Sequence, residues 1–362
     1  MKAKDVARRR RVPELLLAAA SVAACTAVLV AAELLSRRLD PHYLDRVRGA
    51  EVYSERYGWK LRPGFDGLLH DVPTTVNARG FRGALHPYEK TPGKIRLLML
   101  GDSVTFGTKV RDFETFSFLL EHRSDRYEVV NLGVEGYGTD QELLVLGDEG
   151  LRYHPDVVIL NICVANDPGD NLLAWSWRPK PHFTWDGQRL ELHDANMRLS
   201  PPRRAIQWLA DESHVYNRLR ELLLGSDTSL IPEPKGSQRL NRRAANELTV
   251  RIACRVGDVA RRAGADLLVL VHPDRVTFAH RSPVAAHLTS ALRDHGISVQ
   301  DLVEIYWAAR LSYEQVALDG QGHLTPLAHH LVAEEIETVL EASPPRAGVP
   351  PTRAVRAAHG GS

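Results

Sequence analysis

The first forty positions and the rest of the chain follow different hydrophobic rules. Leu15 to Ala32 is eighteen residues without a charge, and as a helix rising about 1.5 Å per residue it covers about 27 Å, close to the hydrocarbon thickness of a bilayer. From residue 95 onward, short β-rich runs at 95–100, 128–132, 156–163, 266–271 and 296–300 alternate with helical patterns at 113–122, 139–151, 243–263, 283–294 and 326–341. That alternation predicts a parallel sheet covered on both faces. The expected fold is therefore α/β: a three-layer α/β/α sandwich on a mostly parallel five-stranded sheet, preceded by one N-terminal transmembrane helix. Leu327, Leu331, Val332, Ile336, Val339 and Leu340 make one apolar face of the last helix, with Thr325-Pro326 supplying an N-cap and a first-turn proline. Thr139-Asp140-Gln141-Glu142 has the spacing of a capping box.

The same patterning divides the chain. Residues 1–40 read as a cytoplasmic basic segment and membrane anchor, and 41–94 as an irregular or β-containing lead-in rich in turn formers such as Asn77-Ala78-Arg79-Gly80. Residues 95–342 form the main domain, and 343–362, dominated by Pro, Gly, Ala and Arg, read as a disordered tail. At about 168–242 the alternation lapses and Trp175, Trp177, Trp185 and Trp208 appear among prolines and arginines. This insertion is expected to cover the sheet edge with its tryptophans completing a core, the other use being a lid or substrate platform. Lys2, Lys4 and Arg8 to Arg11 precede the apolar run while only Arg37 and Arg38 follow closely. The positive-inside rule then keeps the N-terminus cytoplasmic and the main domain periplasmic or extracellular. The run is longer than a signal-peptide core and lacks a small-x-small cleavage site at its end. Val22-Ala23-Ala24-Cys25 resembles a lipobox, yet mostly apolar residues follow it, so cleavage or lipidation stays a rival to a plain anchor.

Composition narrows the class. With 44% hydrophobic and 25% charged residues in 362, the chain is globular. Lys and Arg number 46 against 45 Asp and Glu, a net charge of +1, which gives no pull toward nucleic acid. Cys25, Cys163 and Cys254 have neither metal-ligand nor paired spacing, so no disulfide and no zinc site is expected. Nothing calls for a metal, nucleotide, flavin or other cofactor.

The candidate chemistry begins where the run 95–100 ends in Gly101-Asp102-Ser103. A serine there stands at the carboxyl edge of a buried strand, where open α/β sheets bind ligands. Serine needs a base within hydrogen-bond reach and the base needs an orienting acceptor. His323, in a loop before the last helix, can be that base. Gly136 lies in a Gly-rich loop after the second strand, and Asn166 follows the third. A glycine lets a backbone N–H approach a substrate closely, and an asparagine amide donates without adding charge. The α/β-hydrolase elbow fails because Thr105 stands where its last glycine belongs, and a phosphate loop fails on spacing. His329 and His330 are expected to pack or face solvent, His272 to be structural or line a pocket, and Lys109 to be a solvated loop charge, the alternative being that its place after Phe106-Gly107-Thr108 lets it line the site.

In this order, Gly101-Asp102-Ser103, Asn131-Leu132-Gly133-Val134-Glu135-Gly136, Val164-Ala165-Asn166-Asp167 and His323 resemble the blocks of the SGNH/GDSL hydrolases, over roughly residues 95–341. The resemblance implies a flavodoxin-like fold, Ser103 as nucleophile, and Ser103, Gly136 and Asn166 as oxyanion donors. Two positions depart from it. Val164 replaces a glycine, and the family's aspartate three residues before the histidine is here Gly320, the nearest acid being Asp319. Either Asp319 completes a triad or a backbone carbonyl orients the ring of a dyad. The function expected is a membrane-anchored bacterial-type serine esterase acting on O-acetyl esters of carbohydrate or lipid, its partners an ester-bearing small molecule or polysaccharide and the membrane. An O-acyltransferase modifying an extracytoplasmic polysaccharide, and a catalytically silent glycan-binding scaffold, are the alternatives.

Overall fold

The computed structural model describes residues 2–44, 49–175, 179–224, 241–280 and 283–345. Trp177 and the tail beyond residue 345 lie outside them. The chain divides into two compact units: Met1–Gly49 with Leu199–Leu230, and Ala50–Arg198 with Ile231–Ser362.

In the first unit, α1 (Lys2–Leu39) contains a stretch of 24 residues, Leu16–Leu39, none of them buried, within which an 18-residue window has a mean hydropathy of 2.0. It is long and apolar enough to span a membrane.

In the second unit the lead-in forms two antiparallel hairpins, β1 (Glu51–Ser54) with β2 (Gly58–Leu61) and β3 (Asp66–Leu69) with β4 (Val72–Thr75). Then come β5 (Ile95–Leu100), the short α2 (Ser103–Phe106), α3 (Phe116–Arg123), β6 (Tyr127–Asn131), α4 (Thr139–Asp148), β7 (Val157–Cys163) and the short α5 (Asp167–Asn171). A small hairpin of β8 (His182–Trp185) and β9 (Leu190–His193) precedes α6 (Pro201–Glu212) and α7 (His214–Leu224), which belong to the first unit. The second unit resumes with α8 (Arg242–Arg262), β10 (Asp266–His272), α9 (Arg275–His280), α10 (Pro283–Asp294), β11 (Ser298–Asp301), α11 (Leu302–Ala308), α12 (Tyr313–Val316) and α13 (Pro326–Ala342).

Five strands pair in the order β11-β10-β7-β5-β6, all parallel. The sandwich follows from the two-residue period of a strand. Leu98 and Leu100 of β5, Val158 and Leu160 of β7, and Val269 and Val271 of β10 enter one core, under α4, α8 and α10. Their neighbours Leu97, Met99, Val157, Ile159, Leu268 and Leu270 enter the other, under α3, α11 and α13. Strand order reverses between β5 and β7, so loops after these two strands open the crevice in which α/β sheets hold ligands.

One local expectation is corrected. Thr139 does not cap α4: Gly138 precedes the helix, and Gln141 Oε1 accepts from its N–H at 3.2 Å. Only this half of a box exists, since Gly138 has no side chain to accept in return, and Glu142 is turned inward.

Candidate active site

Chain geometry at the end of β5 requires glycine. A Cβ on Gly101 would stand 2.0 Å from Thr105 Oγ1, so the turn closes only without a side chain. Asp102 caps α2, its carboxylate accepting from the Val104 N–H at 2.8 Å. Ser103 is thereby set partly exposed at the first helical position. From the loop before α13, His323 Nε2 lies 3.0 Å from Ser103 Oγ and its Nδ1 lies 2.7 Å from Asp319 Oδ2.

The four-residue interval from Asp319 to His323 works because the segment is a small hairpin. Ala317 and Leu324 pair as an antiparallel bridge, the Leu318 N–H donates to the His323 carbonyl at 2.7 Å, and the Thr325 N–H donates to the Val316 carbonyl at 3.0 Å. The loop folds back on itself, and Asp319 Oδ1 accepts from the Gln321 N–H at 3.0 Å. The acceptor on His323 is thus a carboxylate, not a backbone carbonyl. Lys109 meets the second of its two readings: its side chain is still 38% exposed, and its Nζ is 2.5 Å from Asp319 Oδ2. Burial alone would raise the Asp319 carboxyl, but the Lys109 ammonium and the His323 imidazole hold it far below the usual carboxylate range.

The two other predicted site residues are placed by the neighbouring loops. Gly136 has φ +73°, a left-handed conformation that glycine adopts without strain. The Val134 N–H donates to the Gly101 carbonyl at 3.2 Å, which ties the Gly136 loop to the nucleophile turn. Among the described residues, neither the Ser103 nor the Gly136 N–H donates a hydrogen bond. Asn166 stands at the start of α5, half-buried, with Nδ2 3.2 Å from Asp170 Oδ2 and its amide near enough to Asp102 to favour that carboxylate's charge. Asn166 makes no direct contact with Ser103 or His323 among these hydrogen bonds.

Sequence reasoning missed the supports. Arg82 from the lead-in is buried, and its guanidinium donates to the carbonyls of Phe106 (3.0 Å), Gly107 (2.5 Å) and Val110 (2.7 Å) while pairing with Asp112 at 2.7 Å. It fixes the loop that follows the nucleophile. Trp59 Nε1 donates to the Glu135 carbonyl at 2.9 Å, and Thr108 Oγ1 donates to the Glu135 carboxylate. Together they hold the residue before Gly136. Non-local contacts of this kind leave no local sequence signal. His272 and His329 are packing residues as expected: burial pushes each down to about 3, and His329 Nδ1 accepts from the Phe116 N–H at 3.1 Å.

Behind the nucleophile lies a second set of carboxylates. Glu142 and Asp167 are buried, and Glu142 Oε1 and Oε2 and Asp167 Oδ1 have no hydrogen-bond partner among the described residues. Burial first, and then repulsion from Asp102 and Asp140 on Glu142 and from Glu142 and Asp102 on Asp167, pushes both well above the carboxylate range. Burial favours their neutral forms. Asp102 is raised too, by burial against the Val104 N–H, the Asn166 amide and His323. Nearby, Asp140 and Lys180 form an ion pair with both side chains fully buried. Among the described residues no group of His, Cys, Asp and Glu side chains is arranged to hold a metal ion.

No protein-family model matches this chain, and no curated protein sequence does. Among solved structures it is similar to TesA, at 14% identity and TM-score 0.42, over 68% of this chain and 98% of that one. It is also similar to a member of the lipolytic protein G-D-S-L family from Veillonella parvula, at 10% identity and TM-score 0.41, over 68% of this chain and 98% of that one. A third is the acetylxylan esterase Axe2 from Geobacillus stearothermophilus, solved as a catalytic mutant, at 10% identity and TM-score 0.41, over 69% and 95% of the two chains.

Proposed function

We propose that the chain is a membrane-anchored serine esterase of the SGNH/GDSL kind. The observation that carries this reading is the continuous line from Ser103 Oγ to His323 Nε2 (3.0 Å) and from His323 Nδ1 to Asp319 (2.7 Å). His323 takes the Ser103 proton as Oγ attacks the ester carbonyl, and Asp319 holds the ring and stabilises the imidazolium that forms. The Ser103 and Gly136 N–H groups and the Asn166 amide receive the oxyanion, one good donor being worth about 2.7–4 kcal/mol. His323 returns the proton to the departing alcohol. Water, deprotonated by the same imidazole, then attacks the acyl-serine, and the imidazolium returns that proton to Ser103 Oγ as the acid is released.

O-acetyl groups on carbohydrate or lipid are the proposed substrate, and the extracytoplasmic side the proposed location. The charge-free run of α1 and the basic residues before it support the location. The complete Ser-His-Asp line argues against a catalytically silent scaffold. Transfer to a sugar hydroxyl would use the same acyl-serine and differ only in its acceptor.

Turnover of p-nitrophenyl acetate by the full chain in detergent tests the reading, beside Ser103→Ala and His323→Ala. The expected result is hydrolysis that each substitution reduces by about 10⁴-fold or more. Equal rates in all three folded proteins would overturn it. Acetate released in the presence of acetylated xylan, as against acetyl moved to added oligosaccharide, separates esterase from transferase.

A further inference from the structure

Helices α6 and α7 dock on the end of α1 the wrong way round for a water-exposed hairpin. The Glu33 carboxylate accepts from Ser213 Oγ (2.9 Å) and from the His214 and Val215 N–H groups (3.0 Å each), closing the start of α7. Arg218 donates to Ser36 Oγ and to Asp40, both at 3.0 Å, and Tyr43 OH donates to Glu221 at 2.6 Å. The face of α7 that meets α1 is therefore the polar one. Its leucine stripe points away: Leu219 is 49% exposed, Leu222 80% and Leu223 76%. On α6, Ile206 is 48% and Trp208 62% exposed, and no residue of that helix is buried. Soluble helices turn their apolar stripe inward, so a helix with this stripe outward has an apolar surface to meet.

The place of the hairpin says which surface. Leu34, Leu35 and Leu39 of α1 are exposed by 63%, 57% and 74%, so its apolar surface runs past Glu33 and alongside the hairpin. Glu33, Arg37 and Arg38 are the charges of the Leu16–Leu39 stretch, all past the charge-free run, where such groups reach toward water or take internal partners. The hairpin partners the first two, with the Ser213 turn on Glu33 and the Glu212 carbonyl accepting from Arg37 at 2.5 Å. Trp208 lies one helical turn from that point, and tryptophan is a residue enriched where membrane meets water.

We propose that α6 and α7 form a membrane-surface collar, with Trp208, Ile206 and the leucine stripe lying in the headgroup–acyl boundary of a phospholipid bilayer. The proposal rests on α1 spanning that bilayer. The full chain is reconstituted in phosphatidylcholine liposomes with and without acyl chains brominated near the headgroup, and tryptophan emission is compared with that of Trp208→Phe. Bromination is expected to remove up to roughly a sixth of the emission, one tryptophan of six, and none from the variant. Equal quenching of both proteins, or of neither, overturns the collar, including the case in which a second copy of the chain covers these residues. An alkaline wash separates the two readings: protein extracted from the liposomes refutes the span and the collar together, whereas retained but unquenched protein refutes only the collar.

Discussion

Two groups of carboxylates flank the nucleophile, and they are in opposite states. Asp319 has water on one side, a lysine and a histidine on the other, and is held ionised. Glu142 and Asp167 are sealed under the same sheet edge with no ion pair on either among the described residues, and burial favours their protonated forms. The residue type is nearly the same; solvent access and the nearest cation decide the charge. Only the first group can orient a histidine and stabilise its positive form. The second gives Asp102 and the nucleophile turn a wall that carries no charge of its own.

The sharpest way to break this contrast is to neutralise each group separately. Asp319→Asn is expected to lower kcat by about 10³–10⁴-fold with KM little changed, because the imidazole loses its acceptor. Glu142→Gln, isosteric with the protonated acid, is expected to leave kcat within about twofold. Steady-state kinetics on p-nitrophenyl acetate compares them.

Next comes the fully buried pair. Lys180→Met strands Asp140 and is expected to cost about 3–5 kcal/mol of stability by urea unfolding. Replacing both with Met and Leu should recover most of that loss.

The third prediction concerns pH. A carboxyl whose folded-state pKa is raised contributes stability that is complete below its unfolded value of about 4 and is lost as pH rises toward the folded value. Glu142 and Asp167 are raised, so wild-type stability should decline on the alkaline side. Glu142→Gln should raise Tm by a few degrees at about pH 9, on a scale of about 2–4 °C per kcal/mol, with no gain near pH 4.

The smallest effect is expected at Lys109. Asp319 has a lowered pKa, so its stabilisation is present above the unfolded value of about 4 and lost as pH falls through the folded one. Lys109→Met removes one of the two cations responsible. The variant should lose less stability than wild type between about pH 4 and pH 2, a difference below about 1 kcal/mol for a partly exposed pair.

The sequence carried the frame of this site but not its electrostatics. Strands and helices were legible because the two-residue and 3.6-residue periods are local, and β5, β7, α8 and α13 fall within a residue or two of their expected bounds. Ser103 and His323 were legible as residues at element ends. Asp319 was visible only as the nearest acid, since the hairpin that brings it to His323 depends on pairing across the loop. Lys109 offered only its place in the loop as a sign of its role, because its partner is 210 residues away. Glu142 was taken for a capping residue, its burial being decided by how α4 packs. Arg82 and Trp59 gave no sign at all, for a lead-in side chain that grips a distant backbone has no pattern to read.

The account stands on Ser103 being an activated nucleophile. The most direct measurement is to treat the full chain with a fluorophosphonate and locate the adduct by peptide mass spectrometry, beside His323→Ala. The account predicts a single adduct on Ser103 in the wild type, slowed by about 10³-fold or more in the variant. A folded protein left unmodified, or one modified on another residue at a rate indifferent to His323, would contradict it.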